Sequence, residues 1–228
     1  GRAVLALIVC VILSTVFATI AGFFMARFKM HPFISTMANM LIIFGLVTYA
    51  TKGVSFGAIE ATIPSMFIPK WGSFPTIIIW AVVAVVVVWF IWNKTTFGKN
   101  LYAVGGNPEA ASVSGISVFW VTLSAFILAG ILYGFGSWLE CLRMVGSGSA
   151  AYGQGWDMDA IAACVVGGVS FTGGIGKISG VVTGVMIFTA LTYSLTVLGI
   201  DTNLQFIFEG IIILAAVTLD CLKYVQKK

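Results

Sequence analysis

Charge is what this sequence lacks most. Only 9% of its 228 residues are Asp, Glu, Lys or Arg, about a third of the share usual in soluble domains. A soluble fold needs charged side chains to cover its surface, so that class is excluded. Histidine occurs once, as His31 beside Pro32. No His-Glu-x-x-His pair and no Ser-His-Asp set can therefore be assembled, and there is no paired Asp-rich motif. The four cysteines, Cys10, Cys141, Cys164 and Cys221, form no Cys-x-x-Cys pair. A structural zinc site is not expected, and no disulfide pairing follows from their spacing. The stretch GGVSFTGGIGKIS around Lys177 resembles a phosphate loop only superficially. A Walker loop needs Gly where Phe171 stands and Ser or Thr where Ile178 stands. No catalytic residue, metal, cofactor or nucleic-acid partner is expected. The Gly-Gly pairs at 167–168 and 173–174 read instead as a turn between two helices.

What the sequence does have is oil. Hydrophobic residues make up 60% and mean hydropathy is +1.07. The run Val4 to Phe24 holds only Ser14, Thr15 and Thr19 as polar side chains, and roughly 20 such residues cross the hydrocarbon core. The reading is an all-α integral membrane protein, a polytopic helical bundle. A β-barrel would show alternating ten-residue segments. The first run has no small-residue cleavage site followed by a soluble domain, so a signal peptide is not expected. With Gly1 in place of an initiator Met, the chain is expected to start inside something larger or to have been trimmed.

Seven apolar segments can be placed, near Ala3–Ala26, Phe33–Ala50, Phe74–Trp92, Phe119–Leu139, Ala160–Val169, Ile178–Leu198 and Leu204–Leu222, within one transmembrane domain, 1–228. The fifth is short, as a broken or tilted helix would be. With seven crossings, Arg27, Lys29, Lys94, Lys99, Lys177, Lys223, Lys227 and Lys228 fall on one side and Arg2, Lys52, Lys70 and Arg143 on the other. That bias makes the first side cytoplasmic; six crossings would blur it.

Small and polar residues inside the oil are the next signal. Gly130 and Gly134, and Gly176, Gly180 and Gly184, recur every four residues and suit close helix contact. They serve either static packing or an interface that slides. Asp157 and Asp159 stand at a helix start, where carboxylates cap free N–H groups; a metal or proton site is the alternative. Glu209 lies inside the last segment, where a carboxylate needs a partner or water. Glu140 and Arg143 are one turn apart and expected to pair on a wet surface. Asn39, Thr189 and Tyr193 are uncharged polar groups that would suit a pathway for a neutral solute, although Ser and Thr also bond back to their own helix.

The polar insert at 93–118 interrupts the apolar pattern. Asn107-Pro108-Glu109 reads as a helix start, with Asn as N-cap, Pro at N1 and an acid in the first turn. Gly115 offers a left-handed stop. A two-turn helix over Pro108–Ser114 follows, with Ala110 and Val113 on one face. It is either a plain connector or a docking element.

The spacing Glu109-Ala110-Ala111-x-x-x-Gly115 resembles the motif by which permeases of ABC importers engage their ATPase. The Ile and Leu-Pro that follow in the maltose type are absent. The stretches WNKTTFGKNLYAVGGNPEAASVSGISV and DMDAIAACVVGGVSFTGGIGKISGVVTGV are similar to the galactose/methyl-galactoside, ribose and xylose permease family. The resemblance implies the vitamin B12 transporter-like (type II) permease architecture, in the bacterial inner membrane. It implies a homodimer in lipid, a cytoplasmic ABC ATPase and a periplasmic or lipoprotein sugar-binding protein, with hexose as cargo. It places Asn107, Pro108, Glu109, Ala110, Ala111, Val113 and Gly115 at the ATPase contact. Relative to that family, about three amino-terminal helices are expected to be missing. Two other classes stay in view. A passive channel for small neutral solutes would fit the uncharged polar groups, but aquaporin-type pores carry two Asn-Pro-Ala half-helices. An intramembrane enzyme would need an acid pair or nucleophile set.

Overall fold

The computed structural model describes residues 2–55, 57, 67–71, 74–170 and 172–225. Its helices, in our numbering, are α1 (Arg2–Phe28), α2 (Pro32–Thr51), α3 (Ile77–Lys94), α4 (Thr96–Gly106), α5 (Pro108–Val113), α6 (Val118–Arg143), α7 (Trp156–Val166), α8 (Ile178–Val197) and α9 (Thr202–Val225). Two two-residue strands, β1 (Lys70–Trp71) and β2 (Phe74–Pro75), pair antiparallel before α3. Among the described residues, α1, α2, α3, α6 and α8 are long and apolar enough to cross a membrane. The chain is thus a helical integral membrane protein. α3 shows why helix wins. Val82, Val83 and Val85 to Val88 are β-branched and lose rotamer freedom in a helix. In hydrocarbon, however, every backbone N–H and C=O must be bonded within the segment, and that requirement outweighs propensity.

The chain forms two compact units. The first comprises residues 1–87 and 114–152, the second 88–113 and 153–228.

In the first unit the dominant contact is the antiparallel pair of α1 and α6. A Cβ on Gly130 would lie 2.6 Å from Thr15 Cα, and one on Gly134 would lie 2.5 Å from Val11 Cα. The two backbones thus touch where side chains are missing, which is how helices associate when lipid removes the hydrophobic drive. The Ser14 hydroxyl spans the seam and donates to the Gly130 carbonyl at 2.7 Å. At one end the Trp138 indole donates to Ala3 O at 3.1 Å. Toward the other, Phe126 fills the space above Gly22. Trp138, Leu139 and Leu142 form the core of this unit, packed by Leu7, Phe67, Ile77, Trp80 and Phe135. The Phe67 and Trp138 rings meet edge-on at 5.3 Å. α2 is tied back to α1 by the buried Ser35 hydroxyl, which donates to Ala21 O at 3.0 Å.

Ser14 has a second acceptor in its own helix, Cys10 O at 2.7 Å. Its one proton serves either. The Ser14→Ala variant is therefore expected to lose only about 0.5–1 kcal/mol, as for other interhelical hydrogen bonds in membranes. Reversible unfolding in mixed micelles measures it.

Arg143 grips both carboxylate oxygens of Glu140, at 2.8 and 2.5 Å, at the end of α6. The Tyr152 hydroxyl donates to Glu140 Oε1 at 2.5 Å. Accepting that bond, the carboxylate pushes the Tyr152 phenol above its ordinary range. The Glu140–Arg143 pair expected from sequence is present, and it also fastens the segment after α6.

In the second unit α7 and α8 meet through Gly167, Gly180 and Gly184. A Cβ on Gly184 would come 2.7 Å from Gly167 N. Ala162 and Ala163 of α7 and Phe188 of α8 are buried together, with Ile212 and Ile213 of α9 against them. α7 has only 11 residues, about 16 Å at 1.5 Å per residue, half of a bilayer core. The short fifth segment is therefore a half-length helix. It begins earlier than the apolar run suggests, because Asp157 and Asp159 already lie in its first turn.

Candidate functional site

The polar insert folds as two helices. α5 is the one expected from Asn107-Pro108-Glu109. Asn107 Oδ1 accepts from the backbone N–H of Glu109 and of Ala110, both at 3.0 Å. Pro108 has no N–H to satisfy, so the cap is complete where one is needed. Gly115 has φ +82, the left-handed conformation that glycine adopts without strain. Ala111 is 4% exposed and seats the helix. Glu109 and Ala110 are exposed, and Val113 is 91% exposed. Val113 therefore takes no part in the core of its own chain.

α4 precedes it, a helix that the polar composition of the insert does not announce. Its signals are there in retrospect. Thr95 is an N-cap whose side chain accepts from Gly98 N at 3.4 Å. Phe97, Leu101 and Val104 repeat at helical spacing and are half-buried, while Lys99 is exposed. Gly98 lets the helix pass directly over the carbonyl end of α3 at Trp92, and Trp92 and Phe97 meet edge-on at 6.4 Å. Asn107 joins the two helices. Its N–H donates to Ala103 O of α4 at 3.1 Å while its side chain caps α5.

α4 rests on the corner between α7 and α8. A Cβ on Gly105 would lie 2.6 Å from Gly174 N. The Tyr102 hydroxyl donates to Gly176 O at 2.7 Å. The corner is glycine-built because it must be: Gly168, Gly173 and Gly174 have φ of +83, +97 and +72. Ser170 N closes it by donating to Ile175 O at 3.0 Å. Beside it opens a cleft of about 400 Å³ lined by Tyr102, Gly167, Gly174, Lys177 and Gly180.

Other candidate residues are dispersed. Gly176 was grouped with Gly180 and Gly184 as helix packing, but it lies in the corner. Lys177, extended at φ −133 and ψ 139, stands at the N-cap position of α8 without a side-chain bond to it, so the helix begins at Ile178 and leaves Gly176 outside. A Cβ on Gly176 would lie 3.2 Å from Val169 Cγ2. Asn39 is half-buried on α2, in the first unit. Thr189 and Tyr193 lie one turn apart on the exposed face of α8, in the second. Thr183 and Ser194 bond back to carbonyls of their own helix, Ser179 O and Ala190 O. Asp157 and Asp159 stand together in the first turn of α7. Among the described residues no three His, Cys, Asp or Glu side chains gather as a metal site. The Glu209 side chain lies outside the described residues.

Comparison of the sequence with known proteins places it in a transport family. Residues 2–217 match the family described as branched-chain amino acid transport system / permease component. The chain is 54% identical over 236 residues to a galactose/methyl galactoside import permease protein of Treponema pallidum, covering all of this chain and 44% of that protein. It is 46% identical over 234 residues to the Escherichia coli protein of the same name, covering 99% of this chain and 69% of that protein. A ribose import permease protein of Bacillus subtilis is 37% identical over 202 residues, 87% of this chain and 62% of that protein. The chain thus spans less than half of one relative and about two thirds of the others. No solved structure matches. The chain belongs to the family of membrane permease components of transport systems that also holds these sugar import permeases.

Proposed function

We propose that the chain is the membrane-spanning, non-catalytic subunit of an ATP-driven sugar importer in a bacterial inner membrane, with a galactose-type hexose as cargo. The observation that carries this is α5. Its Glu109-Ala110-Ala111-x-x-x-Gly115 segment is capped by Asn107, seated by Ala111 and leaves Val113 bare. An oily chain without a nucleotide loop needs an outside source of drive, and this helix offers a surface to a cytoplasmic ABC ATPase. The relatives named for galactose and ribose import support the cargo class. A periplasmic or lipoprotein sugar-binding protein would deliver the hexose, and a second permease copy in lipid would complete the pathway. Asn39, Thr189 and Tyr193 are the uncharged polar groups available to line it.

The test is co-purification of the permease with its ATPase subunit, followed by ATP hydrolysis in vesicles with the loaded binding protein. Galactose is expected to raise hydrolysis several-fold. A complex that contains no ATPase, or one indifferent to every hexose tried, overturns the proposal.

A further inference from the structure

Resting on that reading, we propose that α4 is a mechanical relay between α5 and the α7–α8 corner, with Tyr102 as its positioning residue. Three observations within the second unit carry it. First, α4 and α5 share one residue. Asn107 ends α4 through its N–H and caps α5 through its side chain, and its carbonyl accepts from Ala111 N at 3.0 Å. Four bonds on one residue leave no slack between the helices, so a push on α5 moves α4. Second, α4 meets the corner backbone to backbone. Gly105 and Gly106 lie against Gly173 and Gly174, with no side chain between them to absorb a displacement. The Tyr102 hydroxyl then fixes the direction of that contact by its bond to Gly176 O, the carbonyl just before Lys177 at the N-cap position of α8. Third, the corner has room to respond. The open cleft beside it is lined by Tyr102 together with Gly167 and Gly180. Those two glycines are where α7 and α8 touch. A displaced corner therefore changes the angle at which α7 and α8 meet.

The arrangement assigns Tyr102 a role that packing alone would not need. Phenylalanine would fill the same volume, and only the hydroxyl reaches Gly176. The test uses the whole transporter, with permease, ATPase and binding protein, in liposomes, and reads galactose imported per ATP hydrolysed. Tyr102→Phe is expected to lower that ratio about 5-fold, the size of one neutral hydrogen bond, with hydrolysis falling less than import. Gly105→Ala sets a methyl 2.6 Å from Gly174 N and is expected to lower it further. Tyr102→Phe at the wild-type ratio overturns the relay. So does a parallel fall of import and hydrolysis that tracks the amount of assembled complex, since that is lost packing. If Gly105→Ala fails to assemble, Tyr102→Phe decides alone. Failure of the wild-type permease to bind an ATPase would instead sink the importer reading, and the two failures are told apart in the same preparation.

Discussion

Replacing Val113 by Asp is expected to weaken ATPase binding by about 30-fold or more, the cost of a hot-spot side chain worth 2 kcal/mol. Val113 is 91% exposed and touches little of its own chain, so its loss should barely alter folding. What it does alter is the surface α5 presents beside exposed Ala110. A carboxylate there would be desolvated on docking with no partner guaranteed. One complication is local. Asp at the last residue of a helix opposes the macrodipole by about 0.3–1 kcal/mol. Val113→Lys removes it, since a cation suits that position. Both variants should lose binding, and Val113→Lys should do so while the permease unfolds at the wild-type temperature. Titration of solubilised permease with the ATPase subunit measures the dissociation constant. If both variants stay within about two-fold of wild type, docking through this face is wrong.

The second large effect lies in the α1–α6 seam. Gly134→Val is expected to destabilise the fold by about 3 kcal/mol, the upper range of overpacking. The reason is what the new side chain would strike. A Cβ at 134 lies 2.5 Å from Val11 Cα and 2.8 Å from Cys10 O, and backbone cannot swing aside as a side chain tip can. The helices would have to separate, and the Ser14–Gly130 bond would stretch with them. Gly136, two residues on, supplies the contrast. It is exposed, with nothing within 4 Å of its Cβ position. Gly136→Ala should therefore stabilise α6 by about 0.5–1 kcal/mol, because alanine gives up less backbone freedom than glycine. Opposite signs for two glycines on one helix would locate the cause in the seam. Equal, small effects would refute close contact.

How much of this was legible in the sequence depended on whether the signal was local. The α5 helix was readable because capping is a short-range affair: Asn107, Pro108 and Gly115 each act within four residues. Gly130 and Gly134 could be picked out by spacing, but not their partner. That Val11, Ser14, Thr15 and Ala18 of α1 receive them is a fact of chain topology spanning more than a hundred residues. α4 was missed for another reason. Its stretch holds Gly98, Gly105 and Gly106, and glycine weakens any helix estimate made from propensity. Those glycines are present because backbone must approach backbone, at Trp92 O and at Gly174. Tyr102 carried no sequence signal at all. Its meaning comes from one hydrogen bond to a carbonyl 74 residues away. Gly176 shows the converse, since a regular spacing placed it on a helix that begins only at Ile178.

The α1–α6 seam has one more property, visible when the stripe of α6 that faces α1 is read at four-residue steps. It runs Phe126, Gly130, Gly134, Trp138, with a large ring on either side of two bare positions. Sliding α6 along α1 by one turn, about 5.4 Å, in either direction would drive a ring into a socket that has no room for a methyl group. The pair thus has a stop at both ends and a single permitted register. It cannot ratchet, so these two helices act as one rigid strut within the first unit.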